Sequence, residues 1–196
     1  MPHPKEEKTV VLVKPDGVKR GLVGEVIHRI EQRGLKIIAL KMVAPDIEHI
    51  RKHYPNTEGW MRGMGEKTLD TYRTYGKDAI KELGTDDPLE IGKMVASWNL
   101  DYLMSGPTVA IVVQGIHSIA MVRKIVGSTA PYKADMGTIR GDYSVDSQIL
   151  ANDERRALHN IVHASGDESE AAHEIKHWFK TEEIHAYKRA EEDIMF

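Results

Sequence analysis

Apolar and polar positions along the 196-residue chain form short apolar runs that alternate with stretches of helical spacing. The β-branched and apolar residues 9–13 predict a first strand, which Pro15-Asp16-Gly17 ends as a turn. Apolar side chains then recur at helical spacing from Leu22, and Gly34 ends that predicted helix. Residues 35–43 predict a second strand, so the chain opens as strand, helix, strand.

The middle of the chain is more polar and less regular than the part before it. Residues 55–90 are more polar, contain five glycines and hold one predicted helix over residues 68–83. We interpret this segment as an insertion on the surface. Residues 91–104 then have the pattern of a helix that Ser105-Gly106-Pro107 stops, and the apolar run 108–113 predicts a buried third strand.

The last part of the chain contains one ambiguous stretch. Residues 116–126 predict an amphipathic helix ended by Gly127, and residues 171–179 predict a late helix. Between them, Asn152-Asp153-Glu154 is typical of a helix start, and the apolar positions that follow keep helical spacing. Periodicity alone therefore places His163 on a helix.

Composition favours one globular domain over residues 1–196. The chain is 41% hydrophobic and 29% charged, which is ordinary for a globular core of this length. A net charge of -3 and a pI near 6.4 argue against an extensive basic face for nucleic acid, so nucleotides are the expected partners rather than polymers. The chain has no cysteine, which excludes disulfides and thiolate metal sites.

The location of the protein is expected to be cytoplasmic. The first eight residues have no apolar core of the kind found in signal peptides. No run approaches the roughly 18 apolar residues that a membrane-spanning helix needs, so we expect no membrane partner.

Six short motifs follow one another in order. They are Lys14-Pro15-Asp16-Gly17-Val18, Arg20-Gly21-Leu22-Val23-Gly24-Glu25, Ser105-Gly106-Pro107, Arg123-x-x-x-Gly127-x-Thr129, Thr138-Ile139-Arg140-Gly141-Asp142 and Asn160-Ile161-x-His163-x-Ser165. Eleven residues after the histidine comes Glu174, followed by Trp178-Phe179. Taken together over nearly the whole chain, these motifs resemble the nucleoside diphosphate kinase family.

The resemblance implies an α+β fold. We expect a ferredoxin-like βαββαβ arrangement, with a four-stranded antiparallel sheet whose helices cover one face, and insertions at about residues 55–90 and 144–158. In the family the histidine lies on a short strand. We therefore predict a helix that ends near His159 and a strand over residues 160–163.

The resemblance also implies a phosphohistidine mechanism. Phosphoryl transfer needs cations around the phosphate oxygens and a nucleophile in line with the leaving oxygen. A neutral imidazole is a competent nucleophile near pH 7, so His163 is expected to carry the γ-phosphoryl group from a nucleoside triphosphate to a nucleoside diphosphate in ping-pong fashion. The family implies that Lys14, Arg123 and Arg140 contact the phosphates, Thr129 adds a hydroxyl, Tyr54 approaches His163, Asn160 binds the sugar, Glu174 accepts a hydrogen bond from the imidazole and Ser165 lies nearby.

Two positions depart from the family pattern. Counting back from Ser105, Val95 occupies the position where the family commonly stacks a phenylalanine on the base. Base stacking is then either weaker or supplied by the insertion. The acidic residue after the histidine is displaced by one place to Asp167, which leaves its helix-capping role open.

The expected cofactor is Mg²⁺ that arrives with the nucleotide, because the sequence shows no dedicated carboxylate cage and no metal ligands are assigned. The family also implies a homo-oligomer, either a tetramer or a hexamer. The alternative is a catalytically weak member that acts as a nucleotide-binding or interaction protein. Its usual sign is a missing histidine, lysine or arginine, and none is missing here.

Two further motifs admit other functions. His173-Glu174-Ile175-Lys176-His177 matches the H-E-x-x-H signature of zinc hydrolases, but no third ligand follows at the usual spacing. Glu174 moreover already has a role toward His163 in the kinase interpretation. Residues 63–68 resemble the end of a phosphate loop, but the charge of Glu66 opposes bound phosphate, so we interpret them as a turn.

Overall fold

A computed structural model describes residues 6–190 and 192–195. The first five residues, on which part of the signal-peptide argument depends, lie outside this range. In chain order the elements are β1 (Glu6–Val13), α1 (Pro15–Lys19), α2 (Val23–Gln32), β2 (Lys36–Val43), α3 (Ile47–His53), α4 (Glu58–Thr74), α5 (Ala79–Leu83), α6 (Pro88–Met104), β3 (Thr108–Ile116), α7 (Ser118–Val126), α8 (Ile139–Tyr143), α9 (Gln148–Asp153), β4 (Val162–Ala164), α10 (Glu168–Trp178) and α11 (Glu192–Met195). Helical 3₁₀ turns occur at Pro131–Lys133 and Thr181–Glu183.

The four strands form one antiparallel sheet in the order β2-β3-β1-β4. The central strand β1 pairs with β3, where Val10 faces Val112, and with the short β4, where Leu12 faces His163. Strand β2 lies at the opposite edge, beside β3. This order confirms the ferredoxin-like arrangement and places His163 one strand away from the centre of the sheet.

Helices cover both faces of the sheet, so the prediction of one covered face was wrong. On one face, Val11 and Ile111 pack against Val26 of α2 and Val122 of α7. Because successive side chains of a strand point to opposite faces, the alternate residues of β1 and β3 form a second cluster. That cluster packs against Trp178 at the end of α10, and α10 thereby lies against the back of the sheet.

The first predicted insertion is more helical than its composition indicated. The single helix expected over residues 68–83 is two helices, α4 and α5, separated by Gly76 with φ +64°. The turn expected at residues 63–68 is the interior of α4. A Cβ on Gly65 would lie 1.8 Å from the Pro88 carbonyl oxygen, so α4 and α6 cross at a distance that only glycine permits. This close packing outweighs the low helix propensity of the glycines.

Two other boundaries differ from the prediction. Pro15-Asp16-Gly17 begins the short helix α1 rather than forming a turn, because proline is well suited to the first helical position. Near the second predicted insertion, the helix begins after Ser147, which caps it by accepting a hydrogen bond from the Leu150 amide, and ends at Asp153. The supposed start signal at residues 152–154 is therefore the end of α9, and the strand that follows is Val162–Ala164.

None of the helices within residues 6–190 and 192–195 combines the length and apolar character needed to cross a bilayer.

Candidate active site

A cavity of about 1100 Å³ opens where β1 and β4 end and where α3, α7 and α10 approach one another. This volume suits a ligand of nucleotide size. Eight of the ten predicted site residues line it: Lys14, Tyr54, Arg123, Thr129, Arg140, Asn160, His163 and Glu174. Ser165 lies behind this lining with no exposed surface. Val95 is not among the described residues of this lining.

His163 lies at the end of a chain of hydrogen bonds that runs into the core. Its Nε2 is 2.6 Å from Oε1 of Glu174, a carboxylate that is only 1% exposed. The Ser165 hydroxyl donates to the other carboxylate oxygen at 2.6 Å, and accepts from the Val10 amide at 3.1 Å. Since the carboxylate is an acceptor, the proton of the neutral imidazole lies on Nε2, and Nδ1 keeps its lone pair.

The backbone that leads to the histidine is strained. Ile161 is buried and has φ +69°, which a β-branched residue rarely adopts. The Asp16 carboxylate accepts a hydrogen bond from its amide at 3.1 Å, and its carbonyl accepts one from the Lys14 amide at 2.8 Å. A Cβ on Gly17 would lie 2.9 Å from Cγ2 of Ile161. The Lys-Pro-Asp-Gly motif therefore holds the segment that precedes the nucleophile.

Lys14 is held at the base of the cavity by Asn160. Its ammonium donates to Oδ1 of Asn160 at 2.8 Å and lies over the Tyr102 ring, 5.4 Å from the ring centroid. The Asn160 amide nitrogen donates to the Thr129 carbonyl at 2.9 Å. Burial, together with the positive charge of Arg140, lowers the pKa of Lys14 to about 7. The ammonium therefore lies in a place that disfavours its own charge unless an anion is present.

Arg140 fastens three segments around the cavity. Its guanidinium donates to the carbonyls of Asn160 at 3.1 Å, Gly127 at 2.9 Å and Val162 at 2.6 Å. Burial and the nearby charge of Arg123 lower its pKa to about 10, so it stays charged at neutral pH. Guanidinium carries five N–H donors, so two remain for an anion. Arg123 is exposed at the cavity wall.

The aromatic wall of the cavity is formed by residues other than Val95. Val95 packs into the cluster formed by Tyr72 of α4 and Ile91 of α6, and it is not among the described residues that line the cavity. Tyr54, at the end of α3, lines the cavity and stacks on Trp60 of α4 with ring centroids 5.4 Å apart. Sequence reasoning missed Trp60, although its aromatic type in an otherwise polar segment was a signal.

Asp167 caps α10 by accepting a hydrogen bond from the Glu170 amide at 2.8 Å. Its displacement by one place therefore leaves the helix-capping role intact.

The H-E-x-x-H motif lies on α10 with its histidines directed at α3. Nε2 of His173 is 3.2 Å from the Lys52 carbonyl, and Nε2 of His177 is 2.8 Å from the His49 carbonyl. Glu174, between them on the same helix, instead bonds to His163. A zinc hydrolase needs both histidines and the glutamate around one ion. This arrangement instead joins α10 to the end of α3.

One group in the described part of the chain has a donor set that could hold a metal. The side-chain donors of His53, His163 and Glu174 lie within 4.8 Å of one another. Both oxygens of Glu174 already accept hydrogen bonds, and the Trp178 indole donates to Nδ1 of His53 at 3.3 Å. These donor atoms are therefore already engaged in hydrogen bonds with other protein groups.

Comparison with known proteins points to one family. The sequence profile of the family "Nucleoside diphosphate kinase" matches residues 7–61 and 90–184. A relative of that name from Pyrobaculum aerophilum is 49% identical over 178 residues, which cover 91% of this chain and 97% of the relative. A second relative, from Borreliella burgdorferi, is 37% identical over 95% of both chains.

Solved structures agree with the sequences. The crystal structure of an NDP kinase from Pyrobaculum aerophilum superposes with a TM-score of 0.89 at 47% identity, covering 91% of this chain and 98% of that one. A transition-state mimic of the nucleoside-diphosphate kinase from Borrelia burgdorferi, with bound vanadate and ADP, gives a TM-score of 0.78 at 35% identity over 97% and 96% of the two chains. On this similarity in sequence and structure, the chain belongs to the nucleoside diphosphate kinase family.

Proposed function

We propose that the protein transfers the γ-phosphoryl group of a nucleoside triphosphate to a nucleoside diphosphate by way of His163. The observation that supports this most strongly is the orientation of the imidazole. Its Nε2 faces the buried carboxylate of Glu174, so Nδ1 is left as the nucleophilic atom beside a cavity rich in cations. Catalytic loss was the alternative, and the described site retains the nucleophile, its acceptor and three cations.

In the first half-reaction, Nδ1 of His163 attacks the γ-phosphorus and the bond to the β-phosphate oxygen breaks. The nucleoside diphosphate leaves with that electron pair, and the ring becomes a phosphorylated imidazolium. Glu174, bonded to Nε2, stabilises the positive charge that develops on the ring. The second half-reaction reverses these steps with a different nucleoside diphosphate, which requires ping-pong kinetics.

The cations are proposed to stabilise the phosphate oxygens in the transition state. Lys14 and Arg140 lie at the base of the cavity and Arg123 at its wall. Removing one preorganised donor of this kind typically costs about 10²–10³-fold in turnover. Thr129 adds a hydroxyl at the same wall, and Asn160 is placed to contact the sugar while holding Lys14.

Mg²⁺ is proposed to enter with the nucleotide rather than to reside in the protein. Among the described residues, the carboxylates at the cavity are Asp167, Glu170 and Glu174, and each already accepts a hydrogen bond within the protein. They therefore fit the role of helix caps and of an imidazole partner better than that of a metal cage. When bound, the ion neutralises phosphate charge. We propose the cytoplasm, where nucleotides are abundant, as the place of the reaction.

The base is proposed to stack on Trp60. The sequence places Val95 at the usual stacking position, but Val95 packs between α4 and α6. Trp60 lines the cavity and comes from α4, so the segment around the first insertion supplies the aromatic surface. An indole offers any base a flat apolar face, which predicts broad nucleoside acceptance.

The experiment is phosphorylation of the protein by labelled ATP. An acid-labile, alkali-stable phosphoprotein is expected, and addition of a second nucleoside diphosphate should remove the label. His163→Ala should abolish labelling, whereas the exposed His28→Ala should not. Label that persists in His163→Ala would assign the nucleophile elsewhere, and nucleotide binding without any label would support a binding or interaction role.

A further inference from the structure

His53 lies against the ring of the proposed nucleophile, His163, and lines the same cavity. It is the last residue of α3, its side chain is 2% exposed, and its ring meets the His163 ring edge to face at a centroid distance of 4.8 Å. Nδ1 of His53 lies 3.6 Å from Oε1 of Glu174, the oxygen that His163 uses. Two imidazoles therefore compete for one carboxylate oxygen unless something separates them.

Trp178 provides that separation. Its indole N–H lies 3.3 Å from Nδ1 of His53, and an indole nitrogen can only donate. Nδ1 of His53 must then accept, so the ring is neutral and carries its proton on Nε2. With a lone pair on Nδ1, His53 cannot donate to Glu174. The carboxylate keeps both oxygens for His163 and Ser165.

The charges around His53 also favour the neutral ring. Burial lowers the pKa of His53 well below its usual range, and the neighbouring basic side chains lower it further. The titratable and charged groups that face it are Lys14 from the end of β1, His163 from β4, His49 from α3, Tyr54 directly after α3, and His177 and Glu174 from α10. Among these, Glu174 alone favours a proton on His53. The nitrogen nearest to Glu174 is Nδ1, and it already accepts a hydrogen bond from the Trp178 indole.

We propose that His53 is a positioning residue for the phosphotransfer proposed above: fixed as a neutral imidazole by Trp178, it closes the inner side of His163 and reserves Glu174 for that histidine and Ser165. The inference rests on the proposed function only in its kinetic consequence. The tautomer of His53 is a property of the folded chain, whether or not the chain is active.

The kinetic test uses Trp178→Phe, which removes the indole donor and keeps an apolar ring. A proton can then bind Nδ1 of His53 and pair with Glu174, so the acid limb of the pH profile of kcat/KM should move to higher pH. At neutral pH, kcat should fall about tenfold with little change in KM, as is common when a partner of a catalytic group is altered. The matched control is Trp98→Phe, at a tryptophan that packs between α4 and α6, and its acid limb should not move.

A second background separates positioning from simple packing. His53→Asn retains an acceptor near the position of Nδ1 and cannot take up a proton, so it should keep most of kcat, whereas His53→Ala should not. In the His53→Asn background, Trp178→Phe should no longer shift the acid limb. An equal shift in both backgrounds, or no shift in either, would overturn the proposal.

The direct readout is the ¹⁵N spectrum of the histidine rings in the unaltered protein. His53 should show the neutral form protonated on Nε2 at pH 7, and a proton on Nδ1 or a charged ring would refute the inference even if the variants do not fold. This result is independent of labelled-ATP transfer. A chain that takes no label but shows the expected tautomer would remove the proposed function and leave the placement of His53 intact.

Discussion

Lys14 couples nucleotide binding to the uptake of a proton. Its burial at the base of the cavity and the charge of Arg140 lower its pKa to about 7, so the ammonium is only partly charged at neutral pH. A bound phosphate attracts the charged form and raises the pKa again. Nucleotide affinity should therefore fall as pH rises above about 7, until the lysine of the bound state also loses its proton.

This coupling can be measured by calorimetry at pH 8. Binding of a nucleoside diphosphate should be accompanied by proton uptake, visible as a dependence of the heat on the ionisation enthalpy of the buffer. Lys14→Arg keeps a charge at all these pH values, and its uptake should be close to zero. Equal heats in all buffers for the unaltered protein would contradict the lowered pKa.

Gly17 gives a steric prediction at the same end of β1. A methyl group there would lie 2.9 Å from side-chain carbons of Ile161 and Val13, so Gly17→Ala must displace the segment that leads to the histidine. Overpacking of this kind costs about 1–3 kcal/mol in the free energy of unfolding. We expect a lower melting temperature and a lower kcat.

Gly24 in α2 is the matched control for Gly17. No heavy atom of the described residues outside its own helix lies within 4 Å of the added methyl group. Gly24→Ala should be neutral or should stabilise the fold by up to about 1 kcal/mol, since alanine favours helix. Similar losses in the two variants would argue against the steric account.

At the scale of elements, α4 decides how the base is held. Trp60→Ala removes the aromatic surface of the cavity and should raise KM for the nucleoside diphosphate by about tenfold or more, because stacking contributes about 1–3 kcal/mol per base. Val95→Ala should lower stability through the contact between α4 and α6 and leave KM nearly unchanged. Steady-state kinetics with both variants distinguish the two positions. A larger increase in KM for Val95→Ala than for Trp60→Ala would show that the base stacks on Val95.

The elements also show what local sequence can and cannot predict. The strands β1 and β3 and the amphipathic helices α2 and α7 follow from periodicity, because each buries one regular face against the sheet. Helix α4 does not follow from periodicity. It contains Gly65 because α4 crosses α6 at Pro88 too closely for any side chain, and local sequence does not reveal that contact. Likewise, β4 follows from the family resemblance and not from periodicity, since apolar spacing alone continues a helix through His163.

The same limit applies to the site. The motifs place Lys14, Arg140 and His163 along the chain, and the fold brings them to one cavity as the resemblance implies. His53 and Trp60 have no such motif. The roles proposed for them rest on the contact of His53 with Trp178 and of Trp60 with Tyr54, and these contacts form only in the tertiary structure.

For the whole molecule, we expect self-association. Members of this family are expected to build symmetric oligomers from isologous dimers, in this case a tetramer or a hexamer. Sedimentation equilibrium at micromolar concentration should show no stable monomer. A monomer at all concentrations would remove this prediction and leave the chemistry of the cavity unaffected.

The strained backbone at Ile161 has a consequence for engineering. A left-handed conformation at a non-glycine residue costs about 1–3 kcal/mol, and here it lies two residues before the nucleophile. Ile161→Gly would relieve that cost, but it would also remove a fully buried side chain from the core, which costs about 2–5 kcal/mol. Selection for heat resistance should therefore leave this residue unchanged, and the backbone angle that precedes His163 is retained by the packing of the Ile161 side chain itself.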